Sequence, residues 1–303
     1  MTVFSPGLHH VTAIAGDARR NHGFYTAILR QRMVKRTVNF DDPGTYHLYY
    51  ADAGGTPGSV VTFFPWAQAA RGHGGSGETG ETAYAVAPEA LDAEVARLRE
   101  AGVAATPAGE RFGAAVATFQ NPDGMALALA ATPGAGAGLP GFHGVTLDLA
   151  DIEPTKAVIE HVLGWRESGR EGQGASLRVR MSAPDGSGAL GQHVDLAVRA
   201  AARGRFGAGS VHHIAFRAAG DAQQAEMARR LAAMGLAATP QQDRQYFRSI
   251  YFREPGGVLF EIATDPPGFA VDEAWDALGT VLMLPPQHEH LRATLEKSLP
   301  PLS

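Results

Sequence analysis

The sequence predicts a mixed α+β fold built from four βαβββ modules, and two observations lead to this prediction. The first is an internal repeat: LHHVT at residues 8–12 returns as FHGVT at residues 142–146 and as VHHIA at residues 211–215. The second is the pattern after each repeat, where a short apolar strand precedes a helical segment and further strands that end after a Gly-rich turn. Similar strand starts at intervals indicate one structural unit that is used several times.

The first module is predicted at residues 7–66, with a helix over residues 17–30 and strands over residues 45–50 and 59–64. In this helix Phe24, Tyr25, Ile28 and Leu29 have the spacing of one apolar face.

The second module, residues 82–131, is inferred from its own run of patterns. These are a strand over 82–87, a helix over 89–101, a strand over 114–120, an Asn-Pro-Asp-Gly turn and a strand over 125–130.

The third module is predicted at residues 141–200, with a helix over 153–163 and a closing strand over 193–197. The fourth module, residues 210–265, has a predicted helix over 222–234, a strand over 248–252, a Pro-Gly-Gly turn and a strand over 258–263. The Gly-rich and Pro-rich stretches 71–80 and 132–140 are expected to lack regular structure. The tail, residues 266–303, has a helical segment at 288–297 and no role that its sequence reveals.

The composition restricts the chemistry of this chain. Its 303 residues are 45% hydrophobic and 19% charged, which is typical of a globular protein with two domain-sized cores. There is no cysteine, so disulfides, thiolate metal sites and a cysteine nucleophile are excluded, and a metal would have to bind His, Asp or Glu. Twelve histidines are present.

The charge pattern argues against several kinds of partner. A net charge of −5 without a run of basic and aromatic residues predicts no nucleic-acid binding. No window approaches the roughly 20 apolar residues of a membrane span, and the N-terminus lacks the features of a signal peptide. We therefore expect a cytoplasmic protein without a membrane partner.

Alignment of the repeats selects three candidate metal ligands. The second histidines of the two HH pairs, His10 and His213, occupy one position in the first and fourth modules, where the third module has Gly144. Alignment of the closing strands places Glu261 opposite Thr62, Ala128 and Asp195. Only the first and fourth modules together supply two imidazoles and a carboxylate, so we expect these two to pair as a metal half and the second and third to pair as a degenerate half.

The predicted ligand set has a defined chemistry. Two neutral imidazoles and one carboxylate on one face of a metal leave adjacent positions free, as in non-haem Fe(II) oxygenases. Glu261 lies in the apolar run VLFEIA, where burial of a carboxylate is costly unless it is paired or bound to a metal.

The chain resembles the vicinal-oxygen-chelate superfamily. The similarity lies in the four modules and in three segments: LHHVT, VHHIAF at residues 211–216 and PGGVLFEI at residues 255–262. This superfamily unites glyoxalases, bleomycin-resistance proteins and extradiol dioxygenases, and within it the chain resembles ring-cleaving dioxygenases that open hydroquinones. The resemblance covers about residues 7 to 265 and implies two curled, barrel-like mixed-sheet halves. It also implies an Fe(II)-dependent extradiol-type dioxygenase of aromatic degradation that adds both atoms of O2 to a hydroquinone or catechol-like aromatic. Mn(II), Zn(II) or Ni(II) can occupy similar sites.

The resemblance further implies roles for residues around the metal. His9, His212 and Tyr251 would hold or move protons, while Arg244 and Thr12 would orient the substrate. A tyrosine hydroxyl can donate to an anionic oxygen, and an arginine can hold a phenolate. Strand alternation, however, predicts that His9 and His212 face away from the ligand side unless the strands are locally distorted.

Two other functions are compatible with the sequence. One is a metal-dependent isomerase or lyase of the glyoxalase type, against which Thr62 argues because it stands where a second carboxylate would be needed. The other is a non-catalytic protein that binds a small aromatic, similar to bleomycin-resistance proteins. The sequence leaves open the ring substituents, the choice between para- and ortho-dihydroxy substrates, the metal as isolated, and assembly into a homo-oligomer.

Overall fold

The computed structural model describes residues 4–184 and 190–302, and within these residues sixteen strands form two curled sheets. The strands of the first sheet are β1 Leu8–Ala15, β2 Arg32–Val38, β3 Tyr46–Ala51, β4 Val60–Pro65, β13 Val211–Ala218, β14 Gln242–Asp243, β15 Phe247–Arg253 and β16 Leu259–Pro267. Those of the second sheet are β5 Glu78–Val86, β6 Thr106–Arg111, β7 Ala114–Gln120, β8 Ala126–Ala131, β9 Phe142–Leu149, β10 Arg166–Glu171, β11 Arg178–Ser182 and β12 His193–Val198.

The two sheets share one topology. The strand order is β14-β15-β16-β13-β1-β4-β3-β2 in the first sheet and β10-β11-β12-β9-β5-β8-β7-β6 in the second. At the centre of each sheet two strands pair antiparallel, β1 with β13 and β5 with β9, and each of these four has a parallel neighbour on its outer side. Two curled mixed sheets with few helices confirm the predicted fold class.

The described residues contain five α-helices: α1 Ala18–Gly23, α2 Leu91–Glu100, α3 Glu153–Val158 and α4 Asp221–Ala233, which connect strands, and α5 Arg292–Ser298, which follows the last strand. Asp17 caps α1 by accepting a hydrogen bond from the Arg20 amide at 2.6 Å. The helices predicted over 17–30 and 153–163 start as α-helix and continue as single π-helical turns, Phe24–Ile28 and Ile159–Leu163. None of the helices in the described residues is long and apolar enough to span a bilayer.

The prediction that residues 71–80 lack regular structure is partly wrong, because β5 begins at Glu78 rather than at residue 82. Its glycines permit a close approach to the neighbouring chain segments. A Cβ at Gly80 would lie 2.4 Å from an oxygen of Asp148, and a Cβ at Gly75 would lie 2.2 Å from the Gly204 nitrogen. The glycines therefore support strand pairing here instead of preventing it.

One hydrophobic core runs through both sheets. Trp165, which follows the third module's helical segment, is buried edge-on against Phe216 of β13, with ring centroids 5.6 Å apart. The apolar faces of α2 and α4 add Leu98 and Leu231 to the same core. The concave side of the first sheet, by contrast, has polar side chains in its interior, and these form the site.

Candidate metal centre

Three predicted ligands meet on the concave side of the first sheet. Glu261 Oε2 lies 2.9 Å from His213 Nε2 and 3.3 Å from His10 Nε2, and the two imidazole nitrogens are 3.3 Å apart. All three side chains are buried, and their ligand atoms lie within 4.8 Å of one another. This spacing suits one metal ion between two imidazoles and a carboxylate.

Two β-bulges explain how both members of each HH pair come close together. The pairing of β1 with β13 shifts register between Leu8 and His10, and again opposite His212, so His9 and His212 are the extra residues. A bulge interrupts the alternation of side chains. In a regular strand, residues three positions apart face opposite sides of the sheet, but the bulge allows Leu8 and Val11 both to face the core. The distortion that alternation required for His9 and His212 is thus present.

The bulged histidines contact the ring nitrogens of the ligand histidines. His9 Nδ1 lies 2.9 Å from His10 Nδ1, and His212 Nδ1 lies 2.7 Å from His213 Nδ1. If the ligand histidines bind a metal through Nε2, their protons lie on Nδ1. Each Nδ1–H group then donates a hydrogen bond to His9 or His212. These pairs therefore fix the ring orientation and the tautomer of each ligand.

Burial keeps the bulged histidines neutral. It lowers the pKa of His9 well below its usual range, and the neighbouring His10 adds to that effect. Burial also lowers the pKa of His212 to about 4, again with a contribution from the adjacent ligand, His213. A neutral imidazole has a free nitrogen lone pair, as acceptance from the ligand rings requires.

Glu261 has the environment of a metal-bound carboxylate. Its Oε1 accepts a hydrogen bond from the buried Ser249 hydroxyl, while its Oε2 is buried without a hydrogen bond. Burial opposes the charge on Glu261, yet His10 and His213 outweigh it and hold the pKa of this carboxyl well below its usual range. A buried carboxylate oxygen with no donor is costly unless a cation neutralises it, so the residues fit a metal ion.

A cavity of about 330 Å³ opens beside the cluster. His10 and His213 lie in its wall, together with four large aromatic side chains: Phe40, Phe64, Trp66 and Phe247. Its volume suits a small aromatic molecule.

Tyr251 and Arg244 lie together in the cavity wall, as the sequence suggested for substrate-contacting residues. Arg244 Nε donates to the Tyr251 hydroxyl at 3.2 Å, and Arg244 Nη2 donates to Asp41 at 3.3 Å. The Tyr251 ring packs edge-on against His213, with centroids 5.7 Å apart. Burial and the nearby Glu261 raise the pKa of Tyr251, so its hydroxyl is protonated at neutral pH.

Thr12 belongs to a chain of hydrogen bonds next to the cluster. Its hydroxyl lies 2.8 Å from that of Thr62, which lies 2.8 Å from His47 Nε2. Tyr49 Oη completes the chain at 2.9 Å from His47 Nδ1. His47 and Tyr49 line the cavity, whereas Thr12 and His9 lie behind its wall.

Comparison with known proteins agrees with this geometry. The sequence profile of the Glyoxalase/Bleomycin resistance protein/Dioxygenase superfamily matches residues 7–129 and 133–262. The chain belongs to this superfamily.

Relatives within the superfamily match over nearly the full length. The Bacillus subtilis protein named "Putative ring-cleaving dioxygenase MhqO" is 42% identical, over 97% of this chain and 96% of its own length. The "Chlorohydroquinone/hydroquinone 1,2-dioxygenase" of Sphingobium indicum is 31% identical, over 97% of this chain and 95% of its own length. A crystal structure of a "putative dioxygenase" from Bacillus subtilis superposes with a TM-score of 0.94 at 41% identity, covering 100% of this chain and 99% of the other. These matches confirm the predicted family and the prediction of an enzyme.

The second sheet of this superfamily member has ion pairs where the first has its predicted metal ligands. By strand register, Glu81, Gly144 and Asp195 correspond to His10, His213 and Glu261. Asp195 accepts a bidentate pair of bonds from Arg180 at 2.7 and 3.0 Å, and Glu81 pairs with Arg111. Guanidinium groups thus neutralise the carboxylates here.

Several residues of the site have no signal in the sequence. Ser249, His47 and Tyr49 were not predicted to act at the metal, because each lies in an apolar strand where a hydroxyl or imidazole is unremarkable. Glu81 could have been found if β5 had been predicted to start at Glu78. The alternation in RVRMS of β11 could have indicated that Arg178 and Arg180 share a face.

Proposed function

We propose that this protein is an Fe(II)-dependent, extradiol-type ring-cleaving dioxygenase that acts on a hydroquinone or catechol-like aromatic. The observation that supports it most is the cluster of His10, His213 and Glu261 beside a largely aromatic cavity, whose wall includes the two histidines. A bound Fe(II) ion would supply open coordination positions and electron transfer between the aromatic ring and O2. The ring-cleaving dioxygenases among the relatives support the same reaction.

Arg244 and Tyr251 are proposed to bind the hydroxyl groups of the substrate. The Arg244 guanidinium attracts a phenolate oxygen, and its bond to the Tyr251 oxygen leaves the Tyr251 proton free to be donated to the substrate. Asp41 holds the other side of the guanidinium.

His212 is proposed to donate a hydrogen bond into the cavity and so to hold a proton beside the substrate. Its Nδ1 accepts from His213, so its own proton is on Nε2, and His212 lies in the cavity wall. His9 and Thr12 lie behind that wall, so we assign them positioning roles. His9 orients His10, and Thr12 holds Thr62 and through it His47.

The rival isomerase has less support from this site. Thr62 occupies the strand position that corresponds to Glu261, and its hydroxyl is bonded to both Thr12 and His47. It adds no carboxylate to the cluster.

The proposal is tested by measuring O2 uptake with 18O2 after anaerobic loading with Fe(II), using hydroquinone and catechol as separate substrates. We expect one O2 consumed per ring and both labelled atoms in the product. Glu261→Gln should abolish uptake and lower bound iron at least tenfold. Glu81→Gln is the matched control, because Glu81 is a carboxylate at the position of the second sheet that corresponds to His10, and this variant should retain both O2 uptake and bound iron.

Two results would contradict the proposal. Catalysis with Ni(II) or Zn(II) and no O2 consumption with either substrate would indicate an isomerase or lyase. Unchanged affinity for the aromatic in Glu261→Gln, with no turnover by the wild type, would indicate a binding protein.

A further inference from the structure

The segment 268–291, after the last strand, connects the two outer ends of the first sheet. Near β2, Leu282 forms a bridge with Arg36, and the Met283 amide donates to the Arg36 carbonyl at 2.9 Å. Near β15, the Gly268 amide donates to the Tyr246 carbonyl at 2.9 Å. The segment therefore closes the curled sheet around the concave side on which the cluster lies.

A buried ionic cluster joins this segment to β2. Lys35 is fully buried, and its ammonium donates to Asp272 Oδ1 at 2.6 Å, to the Phe269 carbonyl at 3.1 Å and to Glu273. A buried ammonium group is costly unless opposite charges neutralise it, as the carboxylates of Asp272 and Glu273 do here. We call Lys35, Asp272 and Glu273 the charged anchor.

Asp272 extends this anchor to the turn that precedes β15. Its other oxygen, Oδ2, accepts from Gln245 Nε2 at 2.6 Å and from the Tyr246 hydroxyl at 3.1 Å. One carboxylate thus links Lys35 on one edge strand to the two residues that directly follow Arg244.

The turn holds one residue in an unusual backbone conformation. Gln245 has φ of 63°, a left-handed conformation that a residue other than glycine rarely adopts. The Tyr246 amide closes the turn by donating to the Arg244 carbonyl at 2.7 Å. Because Asp272 holds the side chains of both Gln245 and Tyr246, it can fix the direction in which the Arg244 side chain leaves the turn.

The same segment also reaches the other wall of the cavity. His288 Nε2 lies 2.9 Å from the Phe40 carbonyl oxygen, and Phe40 and the adjacent Asp41 line the cavity. Asp41 is the residue that accepts from Arg244. The segment therefore contacts both chain regions that hold the guanidinium in place.

We propose that Asp272 is a positioning residue that sets Arg244 to bind a substrate phenolate, and that the segment 268–291 supports the site from outside the cavity through Asp272 and His288. This inference rests on the proposed function, because it assumes that Arg244 binds the substrate. It assigns a role to a segment whose sequence indicated none.

The test compares Asp272→Ala with a matched control, Asp276→Ala. Asp276 lies four residues along the same segment, and its carboxylate makes no hydrogen bond or ion pair in the part of the chain that the structure describes. Anaerobic calorimetry with iron-loaded protein measures the dissociation constant for hydroquinone, and steady-state kinetics measures KM and kcat. We expect Asp272→Ala to raise the dissociation constant and KM about tenfold with unchanged bound iron, and Asp276→Ala to change neither by more than about twofold.

A double-mutant cycle separates positioning from general loosening. In an Arg244→Ala background, Asp272→Ala should weaken binding by less than twofold, because the residue it acts through is already gone. An equal tenfold loss in both backgrounds, or loss of iron, would overturn the inference. If Asp272→Ala does not fold, Asp272→Asn, which keeps the volume and one acceptor oxygen, enters the same cycle with the same criterion.

Failure of the proposed function can be told apart from failure of this inference. If the wild type neither binds nor oxidises hydroquinone, the proposed function fails. Hydrogen exchange at the amides of Gln245 and Tyr246 then decides the positioning role: faster exchange in Asp272→Ala than in Asp276→Ala supports it, and equal exchange refutes it.

Discussion

Ser249 and Glu261 show how a single buried hydrogen bond can prepare a metal ligand. The Ser249 hydroxyl occupies one carboxylate oxygen and leaves the other directed at the two imidazoles. Outer-sphere partners of this kind orient the ligand and tune its charge, and their loss commonly costs 10-fold to 100-fold in metal affinity. His9 and His212 act in the same way on the two histidine ligands.

Ser249→Ala is therefore expected to weaken Fe(II) binding by about 10-fold to 100-fold while the protein remains folded. The measurement is an anaerobic titration of the apoprotein with Fe(II) against a competing chelator. Ser182→Ala is the control, since the Ser182 hydroxyl bonds His193 in the second sheet at 2.8 Å. Equal iron affinity in Ser249→Ala and the wild type would show that this hydrogen bond does not prepare the ligand.

The residues of the site differ in how far the sequence could reveal them. His10, His213 and Glu261 stand out because repeats place them at corresponding positions and because a glutamate is rare in an apolar strand. Ser249 is only 12 positions from Glu261, on the strand paired with it, but a serine in that strand gives no sign of its partner. Lys35 and Asp272 are 237 positions apart, and no local pattern indicates their contact.

At the scale of the elements, strand β11 shows what replaces a metal ligand set. Arg180 stands across from Asp195, as Tyr251 stands across from Glu261 in the first sheet. The side chains of Arg180 and Asp195 are 9% and 7% exposed, so their bidentate pair is almost fully desolvated. Removing one partner of such a pair leaves the other charge buried and unpaired.

Asp195→Asn should lower the free energy of unfolding by about 3–5 kcal/mol without changing bound iron. Urea unfolding, together with metal analysis, measures both quantities. Glu296→Gln is the control, because the Glu296 side chain is 53% exposed in its pair with Arg292 and exposed pairs contribute less than about 1 kcal/mol. A loss of iron in Asp195→Asn would mean that the second sheet takes part in metal binding.

The central strands and the helices were predictable because apolar alternation and helical spacing extend through them. Edge strands were not: β6 is almost entirely exposed, and in β10 exposed and half-buried positions alternate without apolar residues. For His9 and His212 the sequence indicated only that the strands must be locally distorted if these residues are to lie near the metal, and it did not predict the bulges themselves. Their position follows from the pairing of β1 with β13, which brings together residues about 200 positions apart.

At the scale of the whole molecule, the two sheets share a core and are expected to unfold together. Trp165 is central to this core, because its ring packs on Phe216 of the first sheet and its Nε1 donates to the Ser5 carbonyl at 2.8 Å. The division into four modules with boundaries near residues 66, 82, 131, 141, 200 and 210 stays a prediction.

Trp165→Ala should destabilise the protein by about 3–5 kcal/mol through loss of buried area and formation of a cavity, within a single unfolding transition. Trp275, which is 59% exposed, gives the control Trp275→Ala with a change below about 0.5 kcal/mol. Fluorescence and far-UV circular dichroism during urea unfolding provide two probes. Two separate transitions in Trp165→Ala would show that the sheets are independent units.

The most direct test of the central claim is anomalous diffraction at the iron absorption edge from crystals loaded with Fe(II) under anaerobic conditions. We expect one strong peak within about 2.0–2.3 Å of His10 Nε2, His213 Nε2 and a Glu261 oxygen, with the cavity on the open side of the metal. An iron peak elsewhere, or no peak at this cluster in fully loaded crystals, would contradict it.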